Sequence, residues 1–386
     1  MRILHTSDWH LGRSFHGEGM LEHQSAYVDH LVEVVEAEEV DLVLVAGDVY
    51  DRALPPVDAV RLAGDAFGRL ARSRARVVVT SGNHDSAQRL GFGSDLIDAA
   101  GVHIRTRTDT VGRPVLLDDQ HGTVAVHGLP YLDPDAARSA WSLAGRSHEA
   151  ALTEAMRRVR ADLAARPGVR SVVLAHAFVA GAEPSDSERD ISVGGVSLVP
   201  TSLFAGIDYT ALGHLHGRQT LTDSVRYSGS PLAYSFSEAD HLKGSWLVDL
   251  GASGLTDTEF IPAPVPRPLA RLRGTIEELL TSPRFAAHEG AWVQATLTDD
   301  HRPRQAMDRL QRRFPHTMAL SFDPATPPAS DLLAPRPVGR SDHDITLDFV
   351  AALRGEPAST AESALLRAAC DACCDDVDLD PAEVAG

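Results

Sequence analysis

Residues 1–10 read MRILHTSDWH, a short apolar run that passes directly into Asp8-Trp9-His10. The same layout returns at four later points: LVLVAGD at 42–48, VVVTSGNHD at 77–85, VVLAH at 172–176 and TALGHLH at 210–216. Helical periodicity covers four intervals between or after these runs, at about Glu22–Glu39, Val57–Ser73, Gln88–Ala100 and His148–Ala165. Continuous apolar strands that alternate with helices predict an α/β layered fold around a central, buried sheet.

Two proline-rich stretches divide the rest of the chain. They hold Pro262, Pro264, Pro266 and Pro268, and then Pro324, Pro327, Pro328, Pro335 and Pro337. Because such stretches act as stiff linkers, we predict three parts, 1–261, 269–322 and 338–386. The middle part has the β-α-β-α-β pattern of a small α+β module. The last part has two helical patterns, with apolar stripes at Ile345–Leu353 and Leu365–Cys373.

The composition is that of a soluble globular protein, with 43% hydrophobic and 23% charged residues among 386. No apolar run approaches the ~18 residues that a membrane span needs. The three cysteines, Cys370, Cys373 and Cys374, form an odd cluster that favours a reducing, cytoplasmic compartment. Cys370 and Cys373 have the spacing of half a zinc site. Since there is no second pair, we interpret them as small apolar residues of a terminal helix.

The net charge of −18 argues at first against a nucleic-acid partner, because phosphate binding normally needs a basic surface. The charge is uneven, however. Residues 341–386 hold 11 acidic and 2 basic residues, a net −9, whereas residues 267–322 hold 9 arginines and 6 acids, a net +3. Bound divalent cations would also offset negative charge at a site. The overall charge therefore does not exclude DNA.

Seven residues at the strand ends have side chains that bind metals: Asp8, His10, Asp48, Asn83, His176, His214 and His216. Ligands of α/β sheets bind beyond the carboxyl ends of the strands, so we expect these residues to converge. Four imidazoles, two carboxylates and one amide oxygen suit Mn²⁺, Fe²⁺ or Zn²⁺ better than Mg²⁺ or Ca²⁺. Seven ligands are too many for one ion, which predicts two ions bridged by Asp48.

The spacing of the histidine motifs adds a geometric argument. Asp8 and His10 are two residues apart, as are His214 and His216. On extended backbone, side chains two residues apart point to the same side. Each pair is therefore predicted to face one region.

Two divalent ions ~3.5–4 Å apart activate a water and stabilise an in-line displacement at phosphorus, which is the chemistry of phosphoester hydrolysis. His84 is not needed as a ligand. We predict that it donates a proton to the leaving oxygen or stabilises the pentavalent phosphorane. Asp85 is predicted to orient His84.

Taken singly, these motifs have simpler interpretations. A lone histidine at a strand end is usually a hydrogen-bonded polar residue, and Asn83-His84-Asp85 by itself is compatible with a turn. Five motifs in order, each at a strand end, favour the metal site. Six other histidines have no such setting and are predicted to be structural: His5, His16, His23, His30, His103 and His127.

The series D-x-H, G-D, G-N-H-D, a single H and G-H-x-H resembles the signature of the calcineurin-like metallophosphoesterase superfamily. Over about Met1–Gly251 the chain is similar to SbcD-like nuclease subunits, in MRILHTSDWHLGR, VAGDVYDRALPP, GNHDSAQRL, SERDISVGG, ALGHLHGRQ and RYSGSPLAYSF. The resemblance implies a core of central β-sheets flanked by helices, a small α+β capping domain, and C-terminal helices that bind the coiled coil of an SbcC-like ATPase. It also implies a homodimer.

The resemblance assigns roles to individual residues. Asp8, His10, Asp48 and His216 correspond to the ligands of a first ion, and Asp48, Asn83, His176 and His214 to those of a second, with Mn²⁺ expected. Arg13, Arg52 and Arg89 follow the metal motifs and are candidates for DNA phosphate contacts, with ordinary surface arginines as an equal alternative. The acidic tail after Leu366 and the proline-rich second linker differ from the family pattern. These differences bear on how the chain would dock on its partner and do not touch the predicted metal ligands.

Three functions remain open on these grounds. The leading hypothesis is a Mn²⁺-dependent nuclease that acts with an ATPase partner in DNA end processing, repair and recombination. The resemblance implies double-strand exonuclease activity and endonuclease activity on single strands and hairpins. A phosphatase or phosphodiesterase for a small molecule or phosphoprotein is the first alternative. A non-enzymatic scaffold that holds a partner through its terminal helices is the second.

Overall fold

The computed structural model of the chain describes residues 1–188, 198–324 and 340–375, without the side chains of 373–375. Its centre is a pair of six-stranded sheets. The strands of the first sheet are β1 Arg2–Thr6, β4 Leu42–Ala46, β5 Arg76–Thr80, β6 Val102–Arg105, β13 Gly244–Gly251 and β14 Gly254–Pro262. Those of the second are β7 Val115–Asp119, β8 Gly122–Gly128, β9 Arg170–His176, β10 Tyr209–Gly213, β11 Gln219–Thr222 and β12 Val225–Tyr227.

Each sheet contains four adjacent parallel strands; antiparallel pairing occurs at one edge of the first sheet and at both edges of the second. The first has the order β14-β13-β1-β4-β5-β6, in which β1, β4, β5 and β6 are parallel. The second has the order β11-β12-β10-β9-β8-β7, in which β12, β10, β9 and β8 are parallel. A short hairpin, β2 Ser14–Phe15 with β3 Glu18–Gly19, follows the first strand.

Helices cover the outer faces of both sheets. In the core they are α1 Leu21–Ala37, α2 Val57–Arg72, α3 Ala87–Leu90, α4 Ser94–Ile97, α5 Pro134–Trp141 and α6 His148–Ala164. The first sheet packs on α1 and α2, and the second packs on α5 and α6. A third apolar cluster lies between the two sheets. The result is a four-layer arrangement of helices, two sheets and helices.

The sequence of β4 shows why the sheets are buried on both faces. All of its residues are apolar and buried, and alternate side chains leave the strand on opposite sides. Val43 and Val45 pack toward α1 and α2, whereas Leu42 and Leu44 pack toward the second sheet. A continuous apolar strand is therefore required at this position.

The predicted α/β layered class is confirmed. The strand pattern alone indicated one central sheet, and the structure has two, stacked face to face. The helix predicted at about Gln88–Ala100 is wrong in extent, since the chain there forms α3, α4 and a 3₁₀ turn at Asp98–Ala100. Gly91 and Gly93 separate the pieces, and a side chain at Gly91 would collide with Thr106.

A smaller module follows the core and matches the predicted β-α-β-α-β order. It consists of β15 Leu269–Gly274, α7 Ile276–Thr281, β16 Trp292–Leu297, α8 Ala306–Gln311 and β17 Thr317–Phe322. Its three strands are parallel, and its own apolar cluster includes Phe285, Leu310 and Phe314. The division of the chain at 261, 269, 322 and 338 remains a prediction.

Two helices form the last described part, α9 Asp342–Arg354 and α10 Thr360–Asp375. They pack against each other, with an ion pair between Arg354 and Glu362 at 2.7 Å. None of the helices in the described ranges is long and apolar enough to cross a membrane. Most of the second proline-rich stretch, the side chains of Cys373 and Cys374, and the acidic residues after Asp375 lie outside the described residues.

Candidate metal centre

The carboxyl ends of five strands meet at one edge of the stacked sheets. β1, β4 and β5 are parallel neighbours in the first sheet, and β9 and β10 are parallel neighbours in the second. The loops after β1 and β4 are hydrogen-bonded, with Asp8 N 3.1 Å from Gly47 O and His10 N 3.0 Å from Asp48 O. Because parallel strands end at the same edge, the structure brings the seven predicted ligands together.

Four of these residues have left-handed backbone conformations: Asp8 at φ 53°, His10 at 46°, Asp48 at 50° and His214 at 106°. Such conformations are sparsely populated by non-glycine residues and cost of order ~1–3 kcal/mol each. The prediction that Asp8 and His10 lie on extended backbone is therefore wrong. β1 ends at Thr6, and a tight loop directs both side chains into the site.

Two glycines allow the backbone segments to approach this closely. A side chain at Gly82 would run into the carboxylate of Asp48. A side chain at Gly213 would run into the carbonyl oxygen of Ala46 at the end of β4. The missing Cβ of Gly82 permits the close approach of the loops after β4 and β5, and that of Gly213 permits the contact between the two sheets at the site.

The first group of metal-binding side chains consists of Asp8, His10 and His216. Their ligand atoms lie within 4.8 Å of one another, and all three residues are buried. His10 Nε2 lies 3.0 Å from His216 Nε2 and 3.7 Å from Asp48 Oδ2. Two imidazole nitrogens that face each other at this distance provide two lone pairs for one cation.

The second group consists of Asn83, His176 and His214. Asn83 Oδ1 lies 2.9 Å from His176 Nε2 and 3.2 Å from His214 Nδ1. Asp48 Oδ2 lies 3.4 Å from His176 Nε2, and Asp8, Asp48 and His176 also form a set within 4.8 Å. Asp48 therefore lies beside both groups.

Burial and neighbouring charges make Asp48 the anionic centre of the site. Burial pushes the pKa of Asp48 upward, but the positive charge of His176 and a hydrogen bond to it outweigh burial and lower the pKa. Burial likewise favours neutral His176, but Asp48 raises the pKa of that imidazole to about 9. In contrast, burial raises the pKa of Asp8 to about 6.

The other imidazoles are suited to metal binding. Burial lowers the pKa of His10 and His214 well below the usual value, so both rings are neutral at pH 7. A neutral imidazole has a lone pair on one nitrogen, which is the form that binds a metal. The donor set of four imidazoles, two carboxylates and one amide oxygen fits divalent cations of the Mn²⁺, Fe²⁺ and Zn²⁺ type.

His84 lies beside both groups. Its backbone N–H donates to Asp48 Oδ1 at 2.8 Å, and its ring centroid is 4.7 Å from that of His10. Its Nδ1 lies 2.7 Å from the carbonyl oxygen of Asp51. Since a carbonyl only accepts, Nδ1 carries the proton, and Nε2 is the nitrogen that can exchange a proton with a substrate.

Asp85 acts on the main chain of the site. Its carboxylate accepts hydrogen bonds from the backbone N–H groups of Val49 at 3.1 Å, Tyr50 at 2.9 Å and Gly82 at 2.9 Å. Burial and the charge of Asp48 raise the pKa of Asp85 to about 7. These bonds tie the loop after β4 to the loop after β5, and the orienting role of Asp85 toward His84 stays a prediction.

Several residues behind the ligands were not singled out from the sequence. Ser7 Oγ donates to Asp8 Oδ2 at 2.5 Å, and Glu188 Oε1 accepts from His216 N at 2.7 Å. Glu238 and Lys243 form a buried ion pair next to His216. MRILHTSDWHLGR contains Ser7 and SERDISVGG contains Glu188, so family resemblance was the available signal for these two, whereas Glu238 and Lys243 lie outside the stretches that resemble the family.

The three candidate arginines differ in their surroundings. Arg13 is partly buried, donates to Ser187 O at 3.0 Å and lies 5.1 Å from the ring centroid of Tyr234. Arg52 is 66% exposed, and Arg89 is exposed while it donates to Ala53 O at 3.1 Å. Arg13 thus helps to hold the site together, whereas Arg52 and Arg89 are accessible.

Comparisons with known proteins agree with this geometry. Residues 1–218 match the family of calcineurin-like phosphoesterases. Residues 265–334 match the SbcD_C family, described as the type 5 capsule protein repressor C-terminal domain. The two matches together are consistent with an SbcD-like nuclease subunit.

Three solved structures are also similar. TT1561 of Thermus thermophilus has 13% identity and a TM-score of 0.38, over 67% of this chain and 98% of its own. GAP50, the anchor in the inner membrane complex of Plasmodium, has 10% identity and a TM-score of 0.40, over 84% and 98%. The purple acid phosphatase PPD1 from yellow lupin seeds has 12% identity and a TM-score of 0.36, over 68% and 54%. Scores this low carry no argument about function.

The family assignment rests on residues 1–218, which are more than half of the chain and contain all seven candidate metal ligands together with His84. This chain therefore belongs to the calcineurin-like phosphoesterase family, whose members are hydrolases that act on phosphoester bonds and bind divalent metals.

Proposed function

We propose that this chain is a DNA nuclease that hydrolyses phosphodiester bonds with two divalent ions, for which Mn²⁺ is the expected metal. The observation that carries the proposal is the pair of buried ligand groups that share Asp48. Asp8, His10 and His216 would hold one ion, and Asn83, His176 and His214 the other. When bound, two such ions lower the pKa of a water and neutralise charge on the phosphate.

The protein's own residues would supply the remaining chemistry. The His84 ring, held at Nδ1 by Asp51 O, would present Nε2 to the substrate and, in its doubly protonated imidazolium form, would give the Nε2 proton to the leaving oxygen and become neutral. Asp85 would keep the loops that carry Asp48 and His84 at a fixed separation. The left-handed residues at the strand ends would hold the ligands in place before substrate arrives.

DNA as the substrate is supported by the basic module and by accessible arginines near the site. Residues 267–322 have a net charge of +3 within a chain of net −18. Arg52 and Arg89 are exposed in the loops that follow the metal motifs. The match of residues 265–334 to the SbcD_C family supports the same assignment. Cationic side chains in these places would bind the phosphate backbone.

The test is incubation of the purified chain with end-labelled duplex DNA, with and without Mn²⁺, beside a generic aryl phosphodiester. We expect Mn²⁺-dependent shortening of the DNA, weakened by raised salt because phosphate contacts are screened. The double substitution Arg52→Ala and Arg89→Ala should reduce cleavage of DNA and leave cleavage of the aryl ester unchanged. Efficient hydrolysis of the aryl ester without action on DNA would favour a small-molecule phosphodiesterase instead.

An SbcC-like ATPase is the partner that we propose for the terminal helices. Phe349, Leu353 and Leu365 are 52%, 62% and 72% exposed on α9 and α10. Apolar side chains on a helix pair are stabilised when they dock on another helix, and a coiled coil provides such a surface. The match to the SbcD_C family supports a partner of this class.

A second copy of the chain is the other proposed partner. Five large apolar residues are exposed on two segments that follow metal motifs: Leu54, Val57, Val60, Phe92 and Leu96. The hydrogen bond from Arg89 to Ala53 O connects these segments. An apolar surface of this kind is typical of a protein interface, and sedimentation equilibrium would measure the dimer.

A further inference from the structure

Glu238 lies behind one ligand of the first metal-binding group, in a 3₁₀ turn at Phe236–Glu238. The residue is 1% exposed. Glu238 Oε1 accepts a hydrogen bond from Ser187 Oγ at 2.5 Å, and Ser187 Oγ lies 2.5 Å from His216 Nδ1. Glu238 Oε1 is itself 3.3 Å from His216 Nδ1.

These contacts determine which nitrogen of His216 carries the proton. Glu238 Oε2 is paired with the Lys243 ammonium and Oε1 accepts from Ser187 Oγ, so both oxygens of the Glu238 carboxylate act as acceptors. Ser187 therefore donates its hydrogen bond to Glu238 and accepts one from His216 Nδ1. The lone pair of the imidazole is then on Nε2, the atom that faces His10.

Lys243 completes the arrangement around His216. Its Nζ is paired with Glu238 and donates to His216 O at 2.8 Å and to Ser230 Oγ at 3.0 Å. The side chain and the main chain of His216 are thus held by one ion pair. Both ends of that pair belong to the segment 230–243.

The opposite side of this segment contacts the small module. Phe236, two residues before Glu238, packs on Phe15 with ring centroids 5.0 Å apart. Phe15 in turn lies 5.4 Å from Trp292, the first residue of β16. A cavity of about 230 Å³ lies between this segment and the linker at Pro264–Pro268, and Glu238, Lys243 and Trp292 are among its lining residues. The aromatic cluster is one contact between the module and the segment, beside the ion pair of Arg271 with Asp240 at 2.5 Å.

The second group is held differently. His176 Nδ1 lies 3.0 Å from Ala46 O, in the main chain of β4. The ring is therefore oriented by the centre of the first sheet. A displacement of the small module would move residues 230–243 and with them the groups that orient His216. The contact between His176 and Ala46 O does not involve those residues.

We propose that Glu238 is a positioning residue that connects the small module, through Trp292 and Phe236, to the Asp8–His10–His216 group. The proposal rests on the two-ion function proposed above. Its consequence is asymmetric: loss of Glu238, or of the aromatic contact, weakens one metal site and leaves the other unchanged.

The test is calorimetric Mn²⁺ titration of the full chain, with Asp8→Ala and Asn83→Ala as references for the two binding events. Glu238→Gln is expected to weaken the event lost in Asp8→Ala by ~10–100-fold, the usual effect of removing a group that orients a ligand. The Mn²⁺ binding event that is lost in Asn83→Ala should keep its normal affinity in Glu238→Gln. Trp292→Ala should weaken the same event as Glu238→Gln, by a smaller factor.

Two further variants separate positioning from loss of stability. Glu238→Gln combined with Lys243→Met removes both buried charges. The melting temperature of the double variant should therefore be higher than that of Glu238→Gln alone, while the Mn²⁺ binding event at the Asp8–His10–His216 group stays weak. Asp119→Asn breaks another buried ion pair, with Arg170 at the far end of β9, and should lower the melting temperature without changing either event.

The outcomes are distinguishable. A single binding event in the unmodified chain would contradict the two-ion function itself. If Glu238→Gln weakened both Mn²⁺ binding events equally, the positioning role would be overturned while the two-ion function stands. The same conclusion would follow if Trp292→Ala left both binding events unchanged.

Discussion

The strand ends of the core and the terminal helices have opposite patterns of burial. At the strand ends, polar side chains such as Asp8 and His10 are 0% exposed. On α9 and α10, apolar side chains such as Leu353 and Leu365 are 62% and 72% exposed. Burial of polar groups and exposure of large apolar groups both cost free energy in the isolated chain. The comparison supports the two proposals made above, that a cation completes the first region and that a partner protein surface completes the second.

The largest effect is expected from Asp48→Ala, because its carboxylate lies beside both ligand groups and would bridge the two proposed cations. The variant should lose both Mn²⁺ binding events and with them all metal-dependent hydrolysis, whereas Asp8→Ala should lose one event. Calorimetric titration of the two variants measures the difference. If the Asp48 variant still bound two ions with near-normal affinity, the buried Asp48 carboxylate would not serve both metal sites, and the proposed bridging role would be wrong.

His84→Ala should have the next largest effect. We expect a ~10²–10⁴-fold loss of hydrolysis with both metals retained, the usual scale for removal of a general acid. Elemental analysis measures the metal content of the variant, and a hydrolysis assay on the same sample measures its activity. His84 lies within 4.8 Å of His10 and Asp48 ligand atoms, so loss of one metal per chain would show that it is a ligand instead.

Removal of the terminal helices tests the other region. A chain truncated after Pro337 should fold, bind both ions and retain nuclease activity, but fail to copurify with its coiled-coil ATPase. The reason is that all proposed ligands precede Arg218, while α9 and α10 follow the proline-rich stretch. Equal partner binding by the full and truncated chains would exclude the helices from the interface. An insoluble truncation would indicate that they cover part of their own protein.

The smallest effect on stability is expected from Leu353→Ser. Its side chain is 62% exposed, so the free energy of unfolding should change by no more than ~0.5 kcal/mol. Binding of the ATPase partner should nevertheless weaken. Chemical denaturation measures the stability of the variant, and a pull-down with the intact chain as control measures partner binding. A large loss of stability would show that this face is packed in the free protein.

Much of the core could be predicted because its signals are local. The apolar strands, the α1, α2 and α6 helices and the β-α-β-α-β module each follow from the periodicity of a short window. The helix predicted at Gln88–Ala100 is interrupted at Gly91 and Gly93; Gly93 is left-handed at φ 74°, and Gly91 lies so close to Thr106, a residue of another segment, that a side chain would not fit. A contact of that kind leaves no trace in helical periodicity.

The chemistry of the site was determined by the sequence itself. Residue type and position after a strand identified Asp8, His10 and Asp48 as candidate ligands, because parallel strands must end at one edge of a sheet. Only the tertiary structure decided how the side chains are presented. It placed three of the ligands from the first two motifs on left-handed backbone and divided the set around Asp48. It also placed Glu238 against Ser187, 51 residues away in the chain. Burial, pKa and the pairing of distant charges depend on which segments pack together, and no local pattern records that.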